Sequence, residues 1–150
     1  MDDSNLQSLA LDLSKVAPRS PREKLGGFVV AARVLDKCRA KLAGTVGEYH
    51  FDCPLDRMFF HAAGISSVEF QDFVATGASD DEVAVWIQDE TSLSETEIVT
   101  WNNEMRYKRI SEMPAPLQVF LEGYIDRFCA PTGKTVYVWF DVYDIEEGRK

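Results

Sequence analysis

The sequence predicts an all-α fold: a single-domain compact bundle of about five or six helices behind an extended N-terminal arm at residues 1–17. Three observations carry that expectation. Ser-x-x-Glu pairs stand at Ser20/Glu23, Ser79/Glu82 and Ser94/Glu97, the pattern in which a hydroxyl and a carboxylate satisfy the free N–H groups of a helix start. Apolar residues recur at three-four spacing, the period of one helix face. Glycine or proline then punctuates the ends of these runs, as at Gly44, Pro54, Gly64 and Pro114, where a left-handed cap or a missing N–H costs least.

In the arm, Leu9, Leu11 and Leu13 alternate with Ala10 and Asp12, which suits an extended segment lying across the core. Ser20, Pro21 and Glu23 read as a helix entry, and the Gly26-Gly27 pair separates that capped turn from the main helix, because each glycine costs about 1 kcal/mol relative to alanine in a helix. From Phe28 a seam of Phe28, Ala31, Leu35, Cys38 and Leu42 runs to a stop at Gly44, with Arg33, Asp36, Lys37 and Lys41 on other faces. Thr45 to Cys53 reads as a loop. Pro54 opens a helix that points Leu55, Met58, Phe59 and Ala62 inward, with Phe60 and His61 off the stripe, and Gly64 ends it.

A short helix over 67–76 buries Phe70, Phe73 and Val74. The next opens on the Ser79/Glu82 pair and carries Val83, Trp86 and Ile87; another opens on Ser94/Glu97, with Leu93 and Ile98 placed for a hydrophobic staple and Trp101 and Met105 continuing its face. Pro114 and Pro116 lead a long helix with Leu117, Phe120, Leu121, Tyr124, Ile125 and Phe128 as a wide apolar face. The run Val136 to Tyr143 mixes strand-favouring residues with no obvious strand partner, so a short docking helix is the expectation. The core is expected to join Phe28, Leu35, Leu42, Phe59, Trp86, Trp101, Phe120 and Tyr124.

Composition narrows the function classes. At 150 residues with 45% hydrophobic content, the chain can fill one core without staples, so residues 1–150 read as one domain. A net charge of −9 repels phosphates on average, so neither nucleic acid nor an anionic membrane is an expected partner. Three cysteines form no paired framework, and no run approaches the roughly 18 apolar residues of a membrane span. The reading is a soluble protein of a reducing cytoplasm, with no cofactor motif and with a small molecule or a protein as the possible partner.

The blocks PRSPREKLGG (18–27), LDKCRAKLAGTVGEYHFDCPLD (35–56) and WFDVYD (139–144) resemble a bacterial family known only as domain of unknown function 5069. The likeness spans nearly the whole chain and is strongest from Leu35 to Asp56. It implies a common domain; it brings no activity, substrate, cofactor or catalytic residue.

Candidate chemistry gathers at His50, Cys53 and Asp56. With Cys53 at the mouth of the helix that Pro54 opens, the positive end of that helix would favour a thiolate, and His50 is near enough in sequence to assist. The plainer alternative, weighted above it, has Asp52 capping, Cys53 packed inward and His50 bonded to a backbone carbonyl. Cys38, His50, Cys53 and Asp56 are chemically suitable zinc ligands, but their spacing lacks a C-x-x-C pair and Cys38 lies on the apolar seam, so no metal is expected. Arg33, Asp36 and Arg39 share one side of the main helix and, with Tyr49 and Asp56, make a candidate site for an anionic small ligand; a solvated face is the ordinary use of such charges. Two functions remain: a binding or interaction module using the 45–53 loop, and a thiol-dependent enzyme using Cys53 assisted by His50.

Overall fold

A computed structural model describes residues 3–150. Among them run eight α-helices and one two-stranded hairpin: α1 Asp3–Leu9, β1 Lys24–Leu25, β2 Phe28–Val29, α2 Ala31–Ala43, α3 Pro54–Ala63, α4 Ser67–Val74, α5 Asp80–Glu90, α6 Glu95–Arg106, α7 Ala115–Phe128 and α8 Trp139–Glu146. The class is helical as expected, and the count exceeds the expected five or six, with residues 3–9 of the expected extended arm helical as well. The chain divides into two compact units, Met1–Trp101 and Asn102–Lys150, so that α6 begins in the first and ends in the second.

The first unit is built on α2, whose residues from Ala31 to Ala40 are buried on every face. A helix wrapped on all sides must neutralise each polar side chain it carries. Its entry differs from the sequence expectation. Ser20 and Glu23 do not start a helix: Ser20 Oγ accepts from the Arg22 N–H and the Ser20 carbonyl from the Glu23 N–H, closing a turn. Gly26 and Gly27, at φ 60° and 86°, then form the reversal of an antiparallel hairpin pairing Lys24 with Val29 and Leu25 with Phe28, since two successive positive-φ residues match the twist of a tight hairpin. Phe28 therefore belongs to a strand, and α2 starts three residues later. Gly44 caps it in the left-handed conformation as expected.

The N-terminal arm is also corrected. Asp3–Leu9 is helical, burying Leu6, and only the stretch after it is extended or turned. Leu13 is buried, its N–H donates to the Thr45 carbonyl at 2.8 Å, and the Thr45 hydroxyl donates to the Leu11 carbonyl at 2.8 Å. The arm thus anchors the start of the 45–53 loop. Residues 1 and 2 of the expected arm lie outside the described residues.

Around α2, Phe28 packs edge-on against Phe59 and Trp101, and Phe70 against Phe59, Phe60 and Trp86. Phe60, expected off the stripe, is buried because Phe51 and Phe70 flank it. The Ser79/Glu82 and Ser94/Glu97 boxes form reciprocally.

In the second unit the tail from Trp139 is helical. Asp141 accepts from the Tyr137 and Val138 N–H groups at the start of α8, and Trp139, Phe140, Val142 and Ile145 are buried. Carboxylates of this helix are met by the chain end, Asp144 by Arg149 and Asp141 by Lys150. The broad inward face expected of α7 is not buried: Leu121 alone among its residues is, and Phe120, expected in the core, is 64% exposed.

Candidate functional site

Four charged residues of α2, Arg33, Asp36, Lys37 and Arg39, are buried, and each is met by a group from outside the helix. The Arg19 guanidinium clasps Asp36 through Nε at 3.1 Å and Nη2 at 3.0 Å, and its backbone N–H donates to the same carboxylate at 2.8 Å. Arg19 also reaches Asp80, which takes a 2.7 Å bond from Arg39. Burial alone would raise the Asp80 carboxyl; the bonds from Arg39 and Arg19 outweigh it and hold the group below the usual range. Arg39 donates in addition to the Ala78 carbonyl at 3.0 Å. Arg33 donates to the Arg19 carbonyl and lies 5.6 Å from the centre of the Tyr49 ring. Bidentate carboxylate pairing of this kind suits guanidinium geometry. The candidate anion site of Arg33, Asp36 and Arg39 is thereby committed internally, joining the 18–23 turn, α2 and the start of α5.

Lys37 makes the other set of contacts. Its Nζ lies 2.8 Å from Asp56 Oδ1, with the two side chains 4% and 0% exposed, and donates to Cys53 Sγ at 3.2 Å. Local sequence explains why these groups meet. Cys53 is the extended residue before Pro54, which begins α3; Asp56, one turn in, reaches back with Oδ2 to accept from the Asp52 N–H at 2.9 Å. That bond fixes the strained turn at Asp52, where φ is 65°, and turns Oδ1 towards α2. The Cys53 side chain does not cap the helix; its sulfur faces the ammonium of Lys37, and the residue is half-buried.

His50, the candidate assistant of Cys53, is exposed, and the cation in contact with the sulfur is Lys37. Nothing in the sequence spacing distinguishes Lys37 from the solvated lysines, because its burial follows from the wrapping of α2 on all sides. Cys38 is fully buried, and burial pushes its thiol up to about 12, with the Asp56 charge acting in the same direction. Cys129 is buried beneath α8, with its sulfur against the Val142 carbonyl. Among the described residues, no three His, Cys, Asp or Glu side chains converge to hold a metal ion, so Cys38, His50, Cys53 and Asp56 are not brought into one ligand set. The described helices include none long and apolar enough to cross a membrane.

The arrangement defines a mostly helical protein with a half-buried thiol beside a buried lysine–carboxylate pair. The chain belongs to the family described as Domain of unknown function (DUF5069), whose sequence model matches residues 15–149. No curated protein matches it.

Proposed function

We propose that the protein is a binding module for a small thiol-reactive molecule, anchored at Cys53 and working in a reducing cytoplasm. The observation that carries this reading is the 3.2 Å contact from Lys37 Nζ to Cys53 Sγ. Reactive cysteines occupy partly exposed, electropositive surroundings, whereas structural cysteines are enclosed, and of the three thiols only Cys53 is not buried. The Thr45–Cys53 loop, tethered to the arm at Thr45 and braced by Arg33 beneath Tyr49, forms the border of the site. The ligand class that fits is a small electrophile or disulfide, which a sulfur nucleophile engages by attack at carbon or sulfur.

A thiol-dependent enzyme is the second reading, favoured by Asp56 standing on the same ammonium as the sulfur. Lys37 then takes the place that sequence spacing gives to His50.

Alkylation of the native protein with iodoacetamide, mapped by mass spectrometry, tests both readings. Cys53 is expected to label first, with Cys38 and Cys129 protected until unfolding. His50→Ala should leave the Cys53 rate unchanged and Lys37→Met should slow it. A native protein whose Cys53 stays unlabelled while the unfolded chain labels at all three positions would remove the thiol readings together.

A further inference from the structure

We infer that mild oxidation joins Cys53 to Lys37 through a reversible sulfur–nitrogen bond, linking the start of α3 to the middle of α2. The inference uses the same accessible thiol as the proposed function but concerns the fate of the sulfur once oxidised.

Three features of the structure support it. An amine nitrogen already lies 3.2 Å from the sulfur, close to contact distance, on a side chain with a flexible four-carbon stem. A carboxylate oxygen able to take a proton from that amine, Asp56 Oδ1, lies 2.8 Å from the same nitrogen. Cys53 is half-buried, so a small oxidant has partial access to it, while Cys38 and Cys129 are enclosed.

The chemistry closes with one equivalent of hydrogen peroxide. The Cys53 thiolate attacks a peroxide oxygen, the O–O bond breaks, hydroxide leaves, and the sulfur, oxidised by two electrons, becomes a sulfenic acid. Lys37 passes a proton to Asp56 and attacks the sulfur with its free electron pair; the S–O bond breaks as the S–N bond forms. The departing hydroxide takes a second proton from nitrogen to become water, and the Asp56 proton neutralises the hydroxide of the first step. The balance is thiolate, ammonium and peroxide giving a sulfenamide and two waters. Sulfenic acids condense in this way with a backbone nitrogen, and here a lysine amine is already in contact with the sulfur. An added thiol attacks the sulfur, releases the amine and, by exchange with a second thiol, restores Cys53. The bond would protect the sulfur from irreversible oxidation and fasten the Cys53 end of the 45–53 loop, whose Thr45 end the arm already holds.

The full chain treated with equimolar hydrogen peroxide, quenched and digested, provides the test. The expected product is a linked pair of peptides carrying Lys37 and Cys53, lighter by two hydrogens than the sum of the separate peptides and released by dithiothreitol. Lys37→Arg, which keeps the charge, should give no link and should leave Cys53 as a sulfenic acid that a second equivalent of peroxide carries on to sulfinic acid; Cys53→Ser should give neither product. Sulfinic acid on Cys53 of the unsubstituted protein without a link, a disulfide to Cys38 or Cys129, or a link that retains an oxygen would each overturn the S–N bond. Iodoacetamide labelling of the same sample before oxidation separates the two readings: a Cys53 that alkylates but never links refutes only the cross-link, and one that does neither refutes the proposed site as well.

Discussion

Lys37 on α2 and Asp56 in the first turn of α3 form an ion pair of 2.8 Å with almost no exposure on either side chain. Taking both charges out of water costs several kcal/mol, offset by their mutual attraction, by the sulfur contact and by the Asp52 N–H bond. Removing one partner leaves the other charge buried. Lys37→Met and Asp56→Asn should each destabilise the fold by about 3–5 kcal/mol, while the double replacement should recover much of that loss. Urea denaturation of the three variants decides it; additive losses would show that the two residues do not act as a pair.

Asp80 predicts an acid sensitivity. Its folded-state carboxyl is held below the ordinary 3.8 although burial opposes this, because Arg39 and Arg19 both donate to it. A depressed carboxyl contributes stability that is present above the unfolded value and is lost as pH falls through the folded one. The side chain is 43% exposed, so solvent screening discounts the contribution to about 1 kcal/mol. Asp80→Asn should therefore lower stability at neutral pH and flatten the fall in stability below about pH 4. A variant whose acid unfolding curve parallels that of the parent would place the acid sensitivity elsewhere.

Local signals account for the parts of the fold that were legible. The Ser79/Glu82 and Ser94/Glu97 boxes, Pro54, Gly44 and Gly64 act within one or two turns, and each stands where the spacing puts it. The Ser20/Glu23 pair obeys the same pattern and fails as a helix start because the glycines that follow are better used in a hairpin. What one sequence did not disclose is which faces of α2 are covered. Lys37 and Asp36 look like solvent-facing charges until Asp56 and Arg19, 19 and 17 residues away in the chain, are folded against them. For that reason Cys53 was visible as a candidate and its cationic neighbour was not. Phe60 and Phe120 erred in opposite directions for a related reason: the apolar stripe of a short helix fixes its periodicity but not the number of neighbours that pack on it.

Gly47 ties the arm to the loop that leads to Cys53. It has φ 59°, and a Cβ there would lie 2.9 Å from the Leu13 carbonyl oxygen. Gly47→Ala meets both the left-handed backbone cost of about 1–2 kcal/mol and this backbone contact. The expected result is a loss of at least that size together with faster hydrogen exchange at the Leu13 amide, whose bond to Thr45 is drawn into the same strain. Unchanged exchange at Leu13 would show that the arm and the loop hold independently.

Neighbouring residues on α7 give a sharp test of its register. Leu121 is 5% exposed and Phe120 is 64% exposed, although both belong to the apolar face that three-four spacing draws. Truncating a buried leucine forfeits its transfer energy and leaves a cavity, so Leu121→Ala should cost about 2–5 kcal/mol. Replacing an exposed phenylalanine away from any packed contact is ordinarily worth about half a kcal/mol or less. Phe120 has the Tyr124 ring beside it at a separation of 6.2 Å, which adds little to that figure at so exposed a position. Phe120→Ser is therefore expected to leave the thermal midpoint nearly unchanged while Leu121→Ala lowers it clearly. If the order were reversed, with Phe120 the costly position, α7 would be rotated so that the wide face runs inward, as periodicity alone suggests.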